Sequence, residues 1–94
     1  MMTKHLYAVV SDFDGGTYVS QFEGSDPEDI ARQWAATLRS EKFIPKSSAY
    51  IANSLIRDLD EGLLPVPLDG LKNVWQSGGW VGRAYYTATF VPSS

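Results

Sequence analysis

Two aspartates, Asp12 and Asp14, are the residues whose type and spacing could do chemistry. They follow the apolar pair Val9-Val10 and precede two glycines. A carboxylate at the end of a buried strand can act as a nucleophile or bind a hard cation. A calcium site, however, needs six or more oxygen ligands, and no glutamate follows at the spacing of a calcium-binding loop. The same composition is typical of a hairpin turn, because Asp and Gly tolerate positive φ.

The segment Val9-Val10-Ser11-Asp12-Phe13-Asp14-Gly15-Gly16-Thr17 resembles the first signature of the haloacid-dehalogenase-like phosphatases, in which an apolar strand ends in Asp-x-Asp-Gly-Thr. The resemblance implies a magnesium-dependent phosphatase, with Asp12 as the nucleophile and Asp14 as the general acid and base. This chain departs from the family by its extra Gly16, by returning at once as an alternating strand, and by its short length. We therefore predict a hairpin turn here and keep the phosphatase as an alternative.

Other catalytic constellations are missing from the sequence. The chain has one histidine, His5, and no cysteine. His5 lies near the terminus, and the spacing implies no Ser or Cys partner for it, so a hydrolytic triad lacks its base. The absence of cysteine excludes disulfides, thiolate zinc sites and cysteine nucleophiles together. We expect neither catalysis nor a cofactor or metal.

Size and charge limit the class of partner. A chain of 94 residues with 44% hydrophobic and 20% charged residues predicts one globular domain over 1–94. Its net charge of −3 and scattered Lys and Arg argue against nucleic acid, because binding there requires clustered cations. No apolar run approaches the roughly 18 residues that cross a bilayer, and the first residues lead straight into the first predicted strand, so we expect no leader. We expect a cytoplasmic protein, away from membranes, whose acidic surface favours a basic partner.

Three acidic residues, Asp58, Asp60 and Glu61, fall at the carboxyl end of a predicted helix. The helix dipole disfavours negative charge at that end, so helix stability does not explain their placement. They form a candidate acidic contact patch. Plain solubility is the alternative explanation.

Aromatic residues indicate where a partner could bind. Trp75 and Trp80 flank a predicted glycine turn, and both cannot lie deep in so small a protein. Tyr85, together with Tyr7 and Tyr18, could line an exposed sheet face, like the Tyr- and Trp-rich centres of protein interfaces. A merely amphipathic sheet face is the alternative. The candidate protein-binding residues are therefore Trp75, Trp80, Asp58, Asp60, Glu61 and Tyr85.

The elements that must position these residues begin with a hairpin. Strands over 6–11 and 17–22 alternate with the period of two that a pleated strand requires. We expect Leu6, Ala8 and Val10 to be the face of the first strand that meets the core.

Two helices follow the hairpin. Asp26 can cap the first helix, and Pro27 suits its first position. Ser47 or Ser48 can cap the second helix, and Gly62 is placed to end it in a left-handed conformation.

A second hairpin ends the chain. The apolar segment 63–68 carries two prolines, which cannot donate to a sheet, so it is predicted to be an extended surface connector. Strands over 71–76 and 80–91 then flank a turn at 77–79, and Gly82 indicates a bulge.

These elements predict a two-layer α+β domain with the order ββααββ, in which two helices cover one face of an antiparallel sheet. A swapped or intertwined dimer through the hairpin edges is the alternative. The predicted core is Leu6, Ala8, Val10, Phe22, Ile30, Trp34, Leu38, Ile51, Leu55, Tyr86 and Phe90.

Three segments carry a second resemblance: Gly15-Gly16-Thr17-Tyr18-Val19-Ser20-Gln21, the helix with Ala31 and Trp34, and Asn73-Val74-Trp75. They look like segments of small uncharacterised bacterial proteins, some of which resemble immunity partners of secreted toxins. The resemblance implies a binder rather than a catalyst. We predict a small protein-binding module, of which an immunity or inhibitor protein that neutralises a basic toxin domain by direct binding is one kind. A homodimeric structural subunit is the alternative.

Overall fold

The computed structural model describes residues 4–71 and 73–93. Within them the elements are β1 (His5–Phe13), β2 (Gly16–Gly24), α1 (Pro27–Glu41), α2 (Ser48–Asp60), β3 (Val66–Pro67), β4 (Trp75–Val81) and β5 (Ala84–Pro92). The strands form one antiparallel sheet in the order β2-β1-β5-β4-β3. The predicted α+β fold with both helices on one face is confirmed. One element was not predicted as a strand, because the connector contributes the two-residue edge strand β3.

The first hairpin is confirmed, with a shorter turn than the sequence suggests. β1 continues to Phe13, which pairs directly with Gly16. The turn consists of Asp14 and Gly15, whose φ angles of 49° and 83° suit a two-residue hairpin loop. The chain therefore returns as an antiparallel strand, and the phosphatase-like segment is a hairpin turn, as predicted.

The face of β1 that meets the helices is the opposite of the predicted one. The buried residues are Tyr7, Val9, Ser11 and Phe13, whereas Leu6, Ala8 and Val10 are half-buried on the sheet face without helices. The reason lies in pairing that is distant in sequence. Val9 lies opposite Phe90 of β5, and both side chains are fully buried against the helices.

The helix α1 begins as predicted. The Asp26 carboxylate accepts a hydrogen bond of 2.8 Å from the backbone N–H of Asp29, and Pro27 occupies the first turn. This arrangement satisfies a backbone donor that the helix cannot satisfy itself. The buried stripe of the helix is Ile30, Ala31, Trp34, Ala35 and Leu38.

The helix α2 ends at Asp60, and Gly62 follows it in the predicted left-handed conformation, with a φ of 89°. The Leu63 N–H donates to the Asp58 carbonyl at 2.8 Å, and the Gly62 N–H donates to the Leu59 carbonyl at 3.1 Å. These two bonds form a Schellman motif and fix the direction in which the connector leaves the helix. At the other end, Ser47 is the N-cap residue but makes no capping bond through its side chain.

The second hairpin is confirmed, but its predicted turn is wrong. Residues 77–79 lie inside β4, and the turn is made by Gly82 and Arg83 between the paired residues Val81 and Ala84. Gly82 has a φ of 62°, so it is the first turn residue rather than a bulge. Residue 72 of the predicted strand 71–76 lies outside the described residues.

The core lies between the sheet and the two helices. Trp34 of α1 is its central side chain, and its ring lies 6.3 Å from that of Tyr86 in β5. Phe22 is only partly buried at the margin of this core. Seven predicted core residues are buried as expected: Ile30, Trp34, Leu38, Ile51, Leu55, Tyr86 and Phe90.

Candidate functional site

A groove of about 550 Å³ lies where the connector leaves the edge of β4. Leu55 and Asp58 of α2 line one side, the connector residues 63–66 a second, and residues 76–78 of β4 a third. Tyr85 of β5 also lines it. We call this space the edge groove. Among the described residues that line it, Asp58 is the single charged one.

The backbone of β4 is only partly paired along the edge groove. β3 pairs with Trp75 and Gln76, and its two residues reach no further along β4. In the part of the chain that the structure describes, residues 77–81 have β5 on one side and no strand on the other. An unpaired edge of this kind presents backbone donors and acceptors to a second strand.

The outward-pointing backbone groups of β4 can be identified. The Leu68 N–H donates to the Val74 carbonyl at 2.9 Å, so Val74 points toward the connector side. The direction of backbone groups alternates along an antiparallel strand, which assigns the same direction to Gln76, Gly78 and Trp80. Gly78 and Trp80 therefore hold the open N–H and C=O groups.

Two tyrosines of β5, on opposite faces of the sheet, pack against the two glycines of β4. A Cβ on Gly78 would lie 2.8 Å from Tyr85 Oη and 2.9 Å from the carbonyl oxygen of Tyr86. A Cβ on Gly79, on the helix side, would lie 3.2 Å from the Tyr86 ring. Close packing therefore excludes a Cβ at Gly78 and leaves little room for one at Gly79, and neither glycine lies in a turn. Of the β4 residues that line the edge groove, Gly78 is the one without a side chain.

An exposed aromatic pair lies at the end of β4. Trp80 is 68% exposed and Tyr85 is 48% exposed, and their rings meet edge to face with centroids 5.2 Å apart. Of the two tryptophans that were predicted not to lie deep together, Trp80 is the more exposed one. Trp80 lies directly opposite Tyr85 across the hairpin, so both side chains are on the sheet face without helices.

A shallower depression of about 390 Å³ flanks Trp80 on the α2 side. Tyr50 and Arg57 of α2 also line it, and Tyr50 is largely exposed. Together with Tyr85, Trp80 therefore connects this depression to the edge groove. The exposed aromatic pair therefore lies between the two depressions.

Trp75 is placed differently from Trp80. It pairs with Phe90 and packs, half-buried, against the core on the helix side of the sheet. Its remaining surface lines small depressions beside Tyr7 and Pro92. Trp75 is therefore mainly a structural residue, and the structure does not bring it together with Trp80.

The three predicted acidic residues do not form one patch. Asp58 lines the edge groove, and Glu61 is exposed at the end of α2. Asp60 accepts a hydrogen bond of 3.1 Å from Arg32 Nη1, while Arg32 Nε donates to Glu28 at 3.1 Å. Asp60 is therefore already paired within the protein.

Tyr7 and Tyr18 do not line an exposed sheet face with Tyr85, so that prediction is wrong. Tyr7 is buried on the helix side of β1. Tyr18 is half-buried on the same side of β2, where its ring lies 6.0 Å from that of Phe43. Both follow from the unexpected face of β1, because paired residues of β1 and β2 share a face.

The aspartates of the phosphatase-like segment lie at the other end of the sheet. Asp12 Oδ1 accepts a hydrogen bond of 2.6 Å from Thr17 Oγ1 across the first hairpin, and Asp14 is exposed in the turn. Among residues 4–71 and 73–93, no three His, Asp or Glu side chains are placed to hold a metal ion. The two aspartates therefore serve as cross-strand and turn residues in this fold.

Comparison with known proteins adds no relative. No protein-family model matches the chain, and no curated protein or solved structure is significantly similar to it. Neither helix within the described residues is long and apolar enough to cross a membrane.

The connector and the glycines of β4 are parts of the candidate site that were not predicted from the sequence. Leu63, Leu64 and Val66 are exposed apolar residues on one wall or rim of the edge groove. Two signals were available in the sequence. An apolar segment with prolines suits a sheet edge, and paired glycines in a β-prone stretch indicate close packing as well as turns.

Proposed function

We propose that this protein is a small protein-binding module that acts by direct binding, as an immunity or inhibitor protein does. The observation that carries the proposal is the exposed pair of Trp80 and Tyr85 beside the edge groove. Large aromatic residues at the centre of an interface supply much of its binding free energy. Exposed rings next to a concave apolar surface are therefore suited to be anchors.

Charge supports a basic partner, such as a cationic toxin domain. The protein carries a net charge of −3. Within the described part of the chain, neither Asp58, which lines the edge groove, nor Glu61, which lies near it, forms a salt bridge. Acidic surfaces raise the association rate of a cationic partner, and buried aromatic contacts slow its dissociation. We place the protein in the cytoplasm, since a chain with no cysteine suits a reducing compartment.

A homodimeric subunit is the second candidate. The observation in its favour is that β2 is also an edge strand, with no partner on its outer side among the described residues. Edges of two copies can join into a continuous sheet. Sedimentation at micromolar concentration separates this candidate from a monomeric binder.

The test of the proposed function starts with a partner captured from the source cell and then purified. Replacing Trp80 with Ala should weaken its binding by more than about 2 kcal/mol, mainly through faster dissociation. Tyr85→Ala should also weaken binding, because it removes the ring against which Trp80 packs. Calorimetry and surface plasmon resonance give the affinity and the two rates.

Val19→Ala is the matched control, because Val19 is also exposed on the same sheet face but lies on the distant strand β2. It should leave the affinity unchanged within about 0.5 kcal/mol. A purified partner whose affinity ignores both Trp80→Ala and Tyr85→Ala would contradict the proposed surface. Circular dichroism of each variant checks that the fold is retained.

A further inference from the structure

We propose that the edge groove takes up an extended segment of the partner as an added antiparallel strand next to β4. The segment carries Lys or Arg on one face and apolar residues on the other. The inference rests on the proposed function and specifies how the partner is recognised. The unpaired stretch of β4, residues 77–81, spans roughly 17 Å, so the segment pairs over about five residues.

The neighbouring strands set the direction of the added strand. β4 is antiparallel to both β3 and β5, and the new strand would continue the line of β3 beyond Val66. Main-chain hydrogen bonds to an exposed sheet edge give affinity, while alternate side chains give specificity. The outward backbone groups of Gly78 and Trp80 supply the matching donors and acceptors.

In the added strand, the residues that hydrogen-bond to β4 all have their side chains on the same face of the sheet. Residues directly opposite each other in an antiparallel pair have their side chains on the same face. Gly78 and Trp80 belong to the face of Tyr85, as the pairing of Trp80 with Tyr85 shows. Segment residues that hydrogen-bond to β4 must therefore point their side chains to that face. The residues between them must point toward α2.

The two faces offer different chemistry to the segment. On the face without helices, Tyr85 and Trp80 provide rings for apolar side chains. On the α2 side, Asp58 is the charged residue that lines the groove. Ser77 Oγ is on this side too, where it is buried and has no hydrogen-bond partner within the described residues. A Lys or Arg side chain can donate to both groups.

The other edge of the sheet is less suited to this role. Gln33 Nε2 of α1 donates to the Glu23 carbonyl of β2 at 2.9 Å, so α1 already engages part of that strand. The edge groove, by contrast, includes Ser77 and Gly78 at the start of the unpaired stretch, together with residues of α2 and the connector. The observations therefore favour β4 as the site of strand addition.

The probe is a synthetic hexapeptide of alternating Val and Lys, acetylated and amidated at its ends. Two further peptides carry N-methyl groups, one on the Val amides and one on the Lys amides. Binding is measured by the shifts of the backbone amide signals of isotope-labelled protein, including those of Gly78 and Trp80. The parent peptide should shift these signals.

Methylation of the Val amides should weaken binding about tenfold or more, because it removes the donors that face β4. Methylation of the Lys amides should change the affinity less than about threefold, since those amides point to solvent. Equal loss for both peptides, the reverse order, or no binding of the parent peptide would overturn the proposed strand addition.

Asp58→Asn tests the choice of a basic residue. It should weaken binding of the Val-Lys peptide about two- to fivefold and leave the affinity for a Val-Ser peptide of the same length unchanged. Asp60→Asn is the matched control, because Asp60 is paired with Arg32 and does not line the groove. Equal effects of the two substitutions would contradict recognition through Asp58.

The proposed function and this inference fail in different ways. A purified partner whose affinity ignores Trp80→Ala and Tyr85→Ala contradicts the proposed surface. A partner that depends on Trp80 but leaves the amide signals of residues 77–81 unchanged contradicts strand addition alone. If those signals instead shift with protein concentration as the free protein dimerises, the occupant is a second copy and the inference of a basic partner segment is overturned.

Discussion

The hydroxyl of Tyr86 is a polar group in an unfavourable place. The side chain is 1% exposed, and its Oη has no hydrogen-bond partner among the described residues. Burial, and then the nearby charge of Asp58, raise the pKa of Tyr86 well above its ordinary value near 10. A buried hydroxyl without a partner costs free energy that the ring packing against Trp34 must offset.

We predict that Tyr86→Phe leaves the free energy of unfolding at pH 7 unchanged or raises it by about 1 kcal/mol. The substitution should also reduce the loss of stability in alkali. Above about pH 10 the unfolded chain releases the tyrosine proton while the folded chain keeps it, so stability falls as pH rises. Urea denaturation at pH 7 and at about pH 10.5 measures both effects.

The Tyr86→Phe variant should still lose some stability in alkali, because burial, and then the charge of Asp26, also raise the pKa of Tyr7. Tyr50→Phe is the matched control, since Tyr50 is largely exposed and should show little change. A loss of more than about 1 kcal/mol at pH 7 for Tyr86→Phe would show that its hydroxyl has a stabilising partner.

Elements with local signals were predictable from the sequence. The start of α1 depends on Asp26 and Pro27, and the end of α2 depends on Gly62, so neighbouring residues determine each boundary. Which face of β1 meets the helices depends instead on strand pairing. Both of its faces are apolar, and the partner that separates them, β5, is about eighty residues away in the chain.

The arrangement of the candidate site also depends on residues that are distant in sequence, so it could not be predicted from local patterns. Residues 77–79 have the composition of a turn, but they lie within β4, where Tyr85 and Tyr86 of β5 pack close to the two glycines on opposite faces of the sheet. The exposure of Trp80 follows from the true turn at Gly82 and Arg83, which places Trp80 opposite Tyr85. An edge groove between a connector and a strand depends on tertiary packing, so composition could indicate its aromatic residues but not their arrangement.

The orientation of β1 leads to a prediction about two adjacent valines. Val9→Thr places a hydroxyl in the fully buried core and should lower the free energy of unfolding by about 1–3 kcal/mol. Val10→Thr, half-buried on the face without helices, should change it by less than about 1 kcal/mol. Each variant is the control for the other, because both replace Val with Thr in the same strand. Urea denaturation compares their free energies of unfolding. A larger cost for Val10→Thr would contradict the observed facing.

At the scale of the whole molecule, one layer of helices covers one face of the sheet. The described Cα atoms have a radius of gyration of 12.5 Å, close to the roughly 12 Å of a compact chain of this length. Trp34 of α1 contacts Tyr86 of β5 and so joins the two layers at their centre. Separate unfolding of the helices would expose this core, which favours cooperative unfolding.

We therefore predict that the protein unfolds in a single transition. A variant with Trp75→Phe and Trp80→Phe leaves Trp34, which is fully buried, as the one tryptophan whose fluorescence reports on the core. Its fluorescence and the far-ultraviolet circular dichroism should give the same urea midpoint, because loss of the core and loss of secondary structure are one event. The circular dichroism curve of the parent protein controls for the two substitutions. Distinct midpoints in the variant and a biphasic curve in the parent would contradict a single domain organised around Trp34.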